Sequence, residues 1–245
     1  MSAELTRRHV LEGMCALALA GAGGCARRDE GKKTVPSDPN RPLVLATTAW
    51  NPPYSYRDAK TGEIVGIDID VARDAAAKLG RKLEVRAMPF DGMLGKVKSG
   101  EVDFAAAAIT ITEGRRKDVN FSQSYSCDGS AFLYRVGETV PTMVRSEHLK
   151  LGTLGSTMSD LYLCYHSLDP LRFDIYEDAV KALERKWIDA LFYDAAPLRE
   201  TAAKSNGRLA VTALETRENY GIAIRKDLHA LLKAVDEVIA ERSAK

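Results

Sequence analysis

AAAAITITEGR, residues 105–115, is the stretch on which the fold and the chemistry of this chain turn, and it runs on into VNFSQSY at 119–125. Its run of alanines lets a buried backbone lie close to a neighbour. Thr110 and Thr112 then alternate at the strand period, Thr112 stands where a helix cap would, and Glu113 suits the first turn of a short helix. Arg115 follows one turn in. A strand that ends in free backbone N–H groups, a hydroxyl and a planar guanidinium describes a receptor for a small carboxylate. The same residues also suit a strand, a capped turn and a surface arginine, so the rest of the chain has to decide.

Outward from this strand, apolar periodicity alternates between two kinds of element. Residues 43–47 read as a strand, 67–79 as a helix with Ile67, Val71, Ala75 and Leu79 on one face and Gly80 as its stop, and 83–87 as a strand. A helix at 92–98 leads to the strand at 102–108. This βαβαβ order predicts a largely parallel sheet with helices on both faces. After a strand at 131–136 the rhythm restarts, with strands at 149–153, 173–176 and 188–193 and helices at 158–166, 178–186 and 195–204. Two α/β units follow, and periodicity leaves open which of them receives the last strand (220–224) and helix (228–240).

Lys and Arg number 35 against 34 Asp and Glu over 245 residues, and no basic stripe with interleaved aromatics is present, so nothing points to nucleic acid. No apolar run reaches the roughly 20 residues needed to span a bilayer. The N-terminus has an arginine pair (Arg7, Arg8), an apolar stretch rich in Ala and Gly, and then Cys25. Residues 1–25 therefore read as an export signal to be excluded from the fold. Their flanks look like a twin-arginine signal and a lipobox with Cys25 as the lipidated residue, although Val10, Glu12 and Ala22 depart from those patterns; a plain secretory cut after Ala22 is the alternative. Residues 26–42, charged and rich in proline, read as a mobile tether. Removal of the signal leaves Cys25, Cys127 and Cys164, and if Cys25 carries lipid the other two either pair as a disulfide or remain separate thiols. No His or Cys spacing matches a metal site, and no cofactor is implied.

The ordered set TTAWNPPYSY (47–56), GIDIDVA (66–72), FDGML (90–94), the 99–125 stretch, LGTLGSTMSDLY (151–162), IDALFYDAAPL (188–198) and NYGIAIRK (219–226) resembles the extracellular solute-binding proteins, family 3, of polar amino-acid ABC transporters. That resemblance implies a type II periplasmic binding protein fold, two α/β lobes joined by two hinge strands. It assigns 43–124 plus 219–245 to lobe 1 and 125–218 to lobe 2, with a further helix after 228–240 that is not found before Lys245. It also implies a free L-amino acid closed in the cleft between the lobes and delivered to a membrane permease; with the signal and Cys25 read above, the chain is expected to be an exported, lipid-anchored monomer of the periplasm or cell envelope.

Carried over residue by residue, Arg115 and Thr110 take the α-carboxylate, Ala108 contributes backbone, and Ser156 and Thr157 bring further N–H groups from the second lobe. Asp194, at the C-terminal end of a strand, takes the α-ammonium, where open α/β sheets place their ligands. Phe90 flanks the ligand side chain, and either Trp50 or Asn51 supplies the opposite wall. Asp68 and Asp70 are read as caps for the helix that starts there. Thr48 and Thr153 stand where receptors for basic or amide side chains carry Asp or Lys, which favours a neutral, polar or aromatic ligand over a strongly basic one. Cyclohexadienyl and arogenate dehydratases look like members of the same fold family and carry a Glu where this chain has Pro197. The chain is therefore read as a binder with no catalytic residue, the dehydratase and a receptor for a signalling partner being the alternatives, and Glu200 or Asp91 the acids that could stand in.

Overall fold

The computed structural model describes residues 41–244. The expected export signal, with Cys25, and the tether up to residue 40 lie outside them. The chain runs through β1 (Leu43–Thr47), β2 (Trp50–Asn51), β3 (Ser55–Arg57), β4 (Ile64–Val65), α1 (Ile67–Lys78), β5 (Leu83–Ala87), α2 (Met93–Ser99), β6 (Phe104–Ala105), α3 (Glu113–Arg116), β7 (Asn120–Phe121) and β8 (Ser126–Asp128). It continues through β9 (Ser130–Arg135), a 3-10 turn (Met143–His148), β10 (Leu151–Leu154), α4 (Met158–Tyr165), β11 (Leu171–Phe173), α5 (Tyr176–Glu184), β12 (Ala190–Asp194), α6 (Ala195–Lys204), β13 (Leu209–Val211), β14 (Glu218–Tyr220), β15 (Ala223–Ile224) and α7 (His229–Ser243).

Every residue of β1 is buried, as its unbroken apolar run requires of a strand covered on both faces. β1 pairs in parallel with β5 and β6, and β15 runs antiparallel between β6 and β7, giving the order β5-β1-β6-β15-β7. Leu43 and Leu45 face α1 and α7 across a cluster with Ile69, Val71, Val235 and Val238. Val44 and Ala46 face the other way, onto Met93 and Val97 of α2. The strand period of two thus sorts one run of residues into two cores. A second five-stranded sheet, β11-β10-β12-β9-β13, is covered in the same way by α5 and α6 on one face and α4 on the other. Between the sheets the chain crosses twice, through β8 and β14, which pair antiparallel with Glu218 opposite Asp128 and Tyr220 opposite Ser126. This is the two-lobed architecture, with its cleft beside the crossings.

Several expectations need correction. The strand read at 102–108 keeps only β6, because the backbone turns out of the sheet before Ala108, which has φ 49°. The strand read at 173–176 ends at Phe173, and Tyr176 begins α5 with its ring buried and its hydroxyl donating to the Pro197 carbonyl at 3.0 Å. The last strand, read at 220–224, is two: β14 pairs with β8, and β15 joins the first sheet. Between them Gly221 leaves room for Ile111, whose Cδ1 would lie 2.8 Å from any Cβ there. Arg41, read as tether, belongs to the fold; its guanidinium grips the buried Asp103 carboxylate with both terminal nitrogens. Neither Asp68 nor Asp70 caps α1: Gly66 is the N-cap with no side-chain bond, and Asp70 pairs with Arg73 on the surface. Of the two arrangements left open for Cys127 and Cys164, the described residues show separate thiols, both exposed, Cys127 in β8 and Cys164 in α4 beside Asp160 and Arg172.

Candidate functional site

The corner formed by 105–115 is built as its residues suggest. Thr112 caps α3, its Oγ1 accepting the Arg115 N–H at 3.1 Å, so the side chain of Arg115 leaves the first turn toward the cleft. There Nη1 donates to the Thr110 carbonyl at 2.9 Å and the guanidinium lies over the Phe90 ring, 5.3 Å from its centroid. One edge of the planar fork is thereby fixed while the rest faces the cleft. Burial opposes the Arg115 charge, and the nearby carboxylates of Glu218 and Asp194 favour it.

Arg115, Thr110, Ala108, Phe90, Thr157 and Asp194 line one narrow cavity between the lobes, of about 20 Å³. Space for no more than a water or so means that the lobes stand nearly shut over it. A second narrow cavity shares the walls Phe90, Thr157 and Tyr193 and is completed by Trp50, Leu154 and Phe173. Of the two candidates for the opposite wall, Trp50 lines this cavity. Asn51 is buried and crosses the cleft, its Nδ2 donating to Asp194 Oδ2 at 3.4 Å, while its Oδ1 has no partner. A wider cavity, about 430 Å³, lies elsewhere, between the Trp50–Arg57 hairpin and the helices α5 and α6, and shares with the cleft the wall residue Trp50. Pro197 and Glu200 line that outer groove, away from Arg115.

Ser156 does not join the cleft. It is exposed with φ 62°, its N–H goes to Asp160 Oδ2 at 3.2 Å, and its hydroxyl donates to Asp91 of the other lobe at 2.7 Å. Ser156 therefore latches the lobes, and Thr157 alone of the pair lines the site. The Thr110 hydroxyl is also committed differently from the expectation: it donates to Glu218 Oε2 at 2.6 Å, so it faces a ligand as an acceptor. Thr153, buried in β10, donates to the Phe192 carbonyl at 2.9 Å and so serves the sheet.

Glu218 escaped the sequence reading. It stands at the return crossing, and besides Thr110 it accepts from Ser130 Oγ at 3.0 Å and Thr216 Oγ1 at 2.7 Å. The local signal was Thr216 two residues earlier; the other donors come from distant parts of the chain. Three hydroxyl donors satisfy this carboxylate internally. Asp194 is in the opposite condition. Although it is the N-cap residue of α6 its side chain makes no cap bond, and among the described residues it accepts one hydrogen bond, the long one from Asn51. Burial, then the neighbouring Glu218 charge, push its carboxyl well above the ordinary carboxylate range, against the pull of Asn51 and Arg115. A half-buried carboxylate short of donors, facing a guanidinium with donors to spare across a narrow gap, is complementary to a small zwitterion.

Fold and cleft together define a hinged, two-lobed binding protein. The chain belongs to the bacterial extracellular solute-binding proteins, family 3, whose model matches residues 43–245. Among its relatives, the L-cystine-binding protein TcyJ of Escherichia coli (strain K12) is 29% identical over 240 residues, covering 96% of this chain and 90% of that protein. The ABC transporter glutamine-binding protein GlnH of Bacillus subtilis (strain 168) is 28% identical over 88% of this chain and 82% of its own. Of solved structures, holo ArgBP from T. maritima superposes with a TM-score of 0.77 at 31% identity, covering 82% of this chain and 90% of its own. An ancestral amino-acid-binding protein described as a precursor of cyclohexadienyl dehydratase matches with a TM-score of 0.74 at 26% identity, over 83% and 90%.

Proposed function

We propose that this chain is the extracytoplasmic substrate-binding component of an amino-acid ABC transporter, holding a free L-amino acid between its lobes and presenting it to a membrane permease. The observation that carries this reading is that Arg115 from one lobe and Asp194 from the other line the same cavity. The α-carboxylate meets the guanidinium, the α-ammonium meets Asp194 with the Thr110 hydroxyl oxygen and Asn51 Oδ1 as further acceptors, and contacts to both lobes favour the closed state. The walls Trp50, Phe90, Leu154, Phe173 and Tyr193 carry no buried charge, while Asp91 and Asp174 at the same cavity are exposed. This supports a neutral, polar or aromatic side chain over a strongly basic one.

The binder is read as a monomer of the periplasm or cell envelope, anchored by lipid on Cys25, and as no enzyme: the dehydratase reading needs an acid in the cleft beyond the amino-acid clamp, Pro197 and Glu200 lie outside it, and Asp91, at the second cavity, is exposed and engaged by the Ser156 hydroxyl. A thermal-shift screen of the mature domain against the twenty amino acids and L-cystine tests the reading, since ligand at a hundredfold over Kd adds about 2.7 kcal/mol. No shift with any of them refutes it. Phenylpyruvate formed from prephenate by the purified protein would replace it with the enzyme reading, and intact-mass analysis of the exported protein decides the lipid on Cys25.

A further inference from the structure

Asp68 is fully buried at the start of α1 and lies outside the cleft, yet it touches both the cleft and the hinge. Its Oδ2 accepts the Ala108 N–H at 3.2 Å and its Oδ1 accepts the Tyr125 hydroxyl at 2.5 Å. Ala108 lines the ligand cavity and has φ 49°, in the left-handed region where a residue with a Cβ persists only when its surroundings fix it. Tyr125 stands where the chain first leaves the first lobe, and its N–H donates to the Tyr220 carbonyl of the return crossing at 3.1 Å. Its ring meets Tyr54 edge-on at 6.2 Å, Tyr54 stands perpendicular to Tyr220 at 5.3 Å, and the Tyr54 hydroxyl shares a hydrogen bond of 2.9 Å with Ser126. One carboxylate thus ties the turn that forms the cleft floor to both strands about which the lobes move.

We infer that Asp68 is a positioning residue for ligand binding, holding the Ala108 turn in register with the hinge at Tyr125, so that ligand affinity and lobe closure both depend on this carboxylate. The inference rests on the cleft being the ligand site proposed above. The titratable groups bearing on Asp68 are the hydroxyls of Tyr125 and Tyr54; Asp128 and Asp194 lie beyond, around Tyr54, and no cation enters the balance. Burial accordingly raises the Asp68 carboxyl to about 6, against the pull of the Tyr125 and Ala108 bonds. A carboxyl raised in the fold contributes stability below its unfolded value and loses it as pH rises through about 6. Binding runs the other way. The ionised form accepts both bonds at once, and hinge opening loosens the Tyr125 bond while burial stays, so affinity falls as pH drops through the Asp68 value.

The test compares wild type, Asp68→Asn and Tyr125→Phe by amide hydrogen exchange on the unliganded protein and by titration with L-cystine, L-glutamine and L-arginine. Both variants should exchange faster in the peptides holding Ala108 and Tyr125 and bind whichever probes wild type binds roughly tenfold more weakly near neutral pH, the loss expected for one buried charge-assisted hydrogen bond. Tyr125→Phe should also flatten the part of the acid limb of wild-type binding near pH 6, since it removes the bond whose loosening on hinge opening makes the Asp68 carboxyl differ between the open and closed states. Unchanged exchange at Ala108, or wild-type affinities with a wild-type pH profile, overturns the inference. If wild type binds none of the three, the best ligand of the thermal-shift screen takes their place; if nothing in that screen binds, it is the proposed function that fails, and the exchange data still decide the role of Asp68. Should Asp68→Asn fail to fold, Tyr125→Phe, which deletes one hydroxyl, carries the same comparison.

Discussion

Replacing Arg115 by Lys isolates the geometry of the carboxylate site from its charge. Arg115 spends one N–H on the Thr110 carbonyl at 2.9 Å, rests its plane on Phe90, and still has donors for two carboxylate oxygens. A lysine keeps the positive charge opposite Asp194 and Glu218 but has a single ammonium, which cannot hold Thr110 and both oxygens in the same arrangement. The loss is one charge-assisted hydrogen bond, about 1.5–3 kcal/mol, or roughly 10- to 150-fold in Kd. Arg115→Ala removes the charge as well and leaves the ligand carboxylate buried without a partner, about 2–5 kcal/mol. Calorimetric titration of the three proteins with the best ligand from the thermal screen, and with the matching amine that lacks the α-carboxylate, gives a double-mutant cycle. The amine should bind wild type weakly and the Ala variant about equally weakly, the whole difference appearing only when guanidinium and carboxylate are both present. A Lys variant within twofold of wild type, or an amine that loses as much affinity as the amino acid on Arg115→Ala, would refute the assignment of Arg115 to the carboxylate.

Three further outcomes follow from the same structure. Because the Asp194 carboxyl is held well above its ordinary range, its contribution to the stability of the free protein is present at low pH and lost as pH rises through that raised value. A bound ammonium pulls the carboxyl back down, so binding should release a proton and strengthen with pH; binding heats that do not change between buffers of different ionisation enthalpy would contradict this. Asp103→Ala should destabilise the protein by about 3 kcal/mol in chemical denaturation, because it removes the carboxylate that Arg41 grips and the acceptor of the Val44 N–H, while Arg225 keeps its pair with Asp227. Gly129→Ala, at the first crossing, would put a Cβ 2.0 Å from the Thr216 carbonyl oxygen, so the two crossing strands must part; a loss of about 1–3 kcal/mol is expected, and an unchanged melting temperature would show that the crossings are looser than this packing.

The elements legible in the sequence are those whose stabilisation is local. β1, β5 and α6 fall where a short apolar or alternating run and a helical pattern between stop signals put them. The elements that escaped are two- and three-residue strands: β8 and β14 are supported by partners far along the chain, Asn219 opposite Cys127, and β2, β3 and β4 form a local meander too short to show a period, Tyr56 opposite Trp50 and Val65. Tyr176, which the apolar rhythm puts at the end of a strand, is held instead at a helix start by Pro197 and Thr201. The Cys127 and Cys164 pairing, which spacing alone could not settle, has no support in the elements that carry them.

The site divides along the same line, and its three carboxylates show why. Asp68, Asp194 and Glu218 each carry a carboxylate, and motif and position single out only Asp194 for the ligand. What separates them is the donors they face. Glu218 has hydroxyls from Thr110, Ser130 and Thr216, drawn from both lobes and the return crossing, and is complete without a ligand. Asp68 has one backbone N–H and one phenol, reached across 40 and 57 residues, and so anchors structure where the sequence suggested a helix cap. Asp194 has a single long bond from Asn51, 143 residues away, and a guanidinium across the gap. An underdonated carboxylate between closing lobes is the one whose energy a cation improves most. The binding role proposed for Asp194 therefore rests less on its place at a strand end than on the bonds its neighbours decline to make.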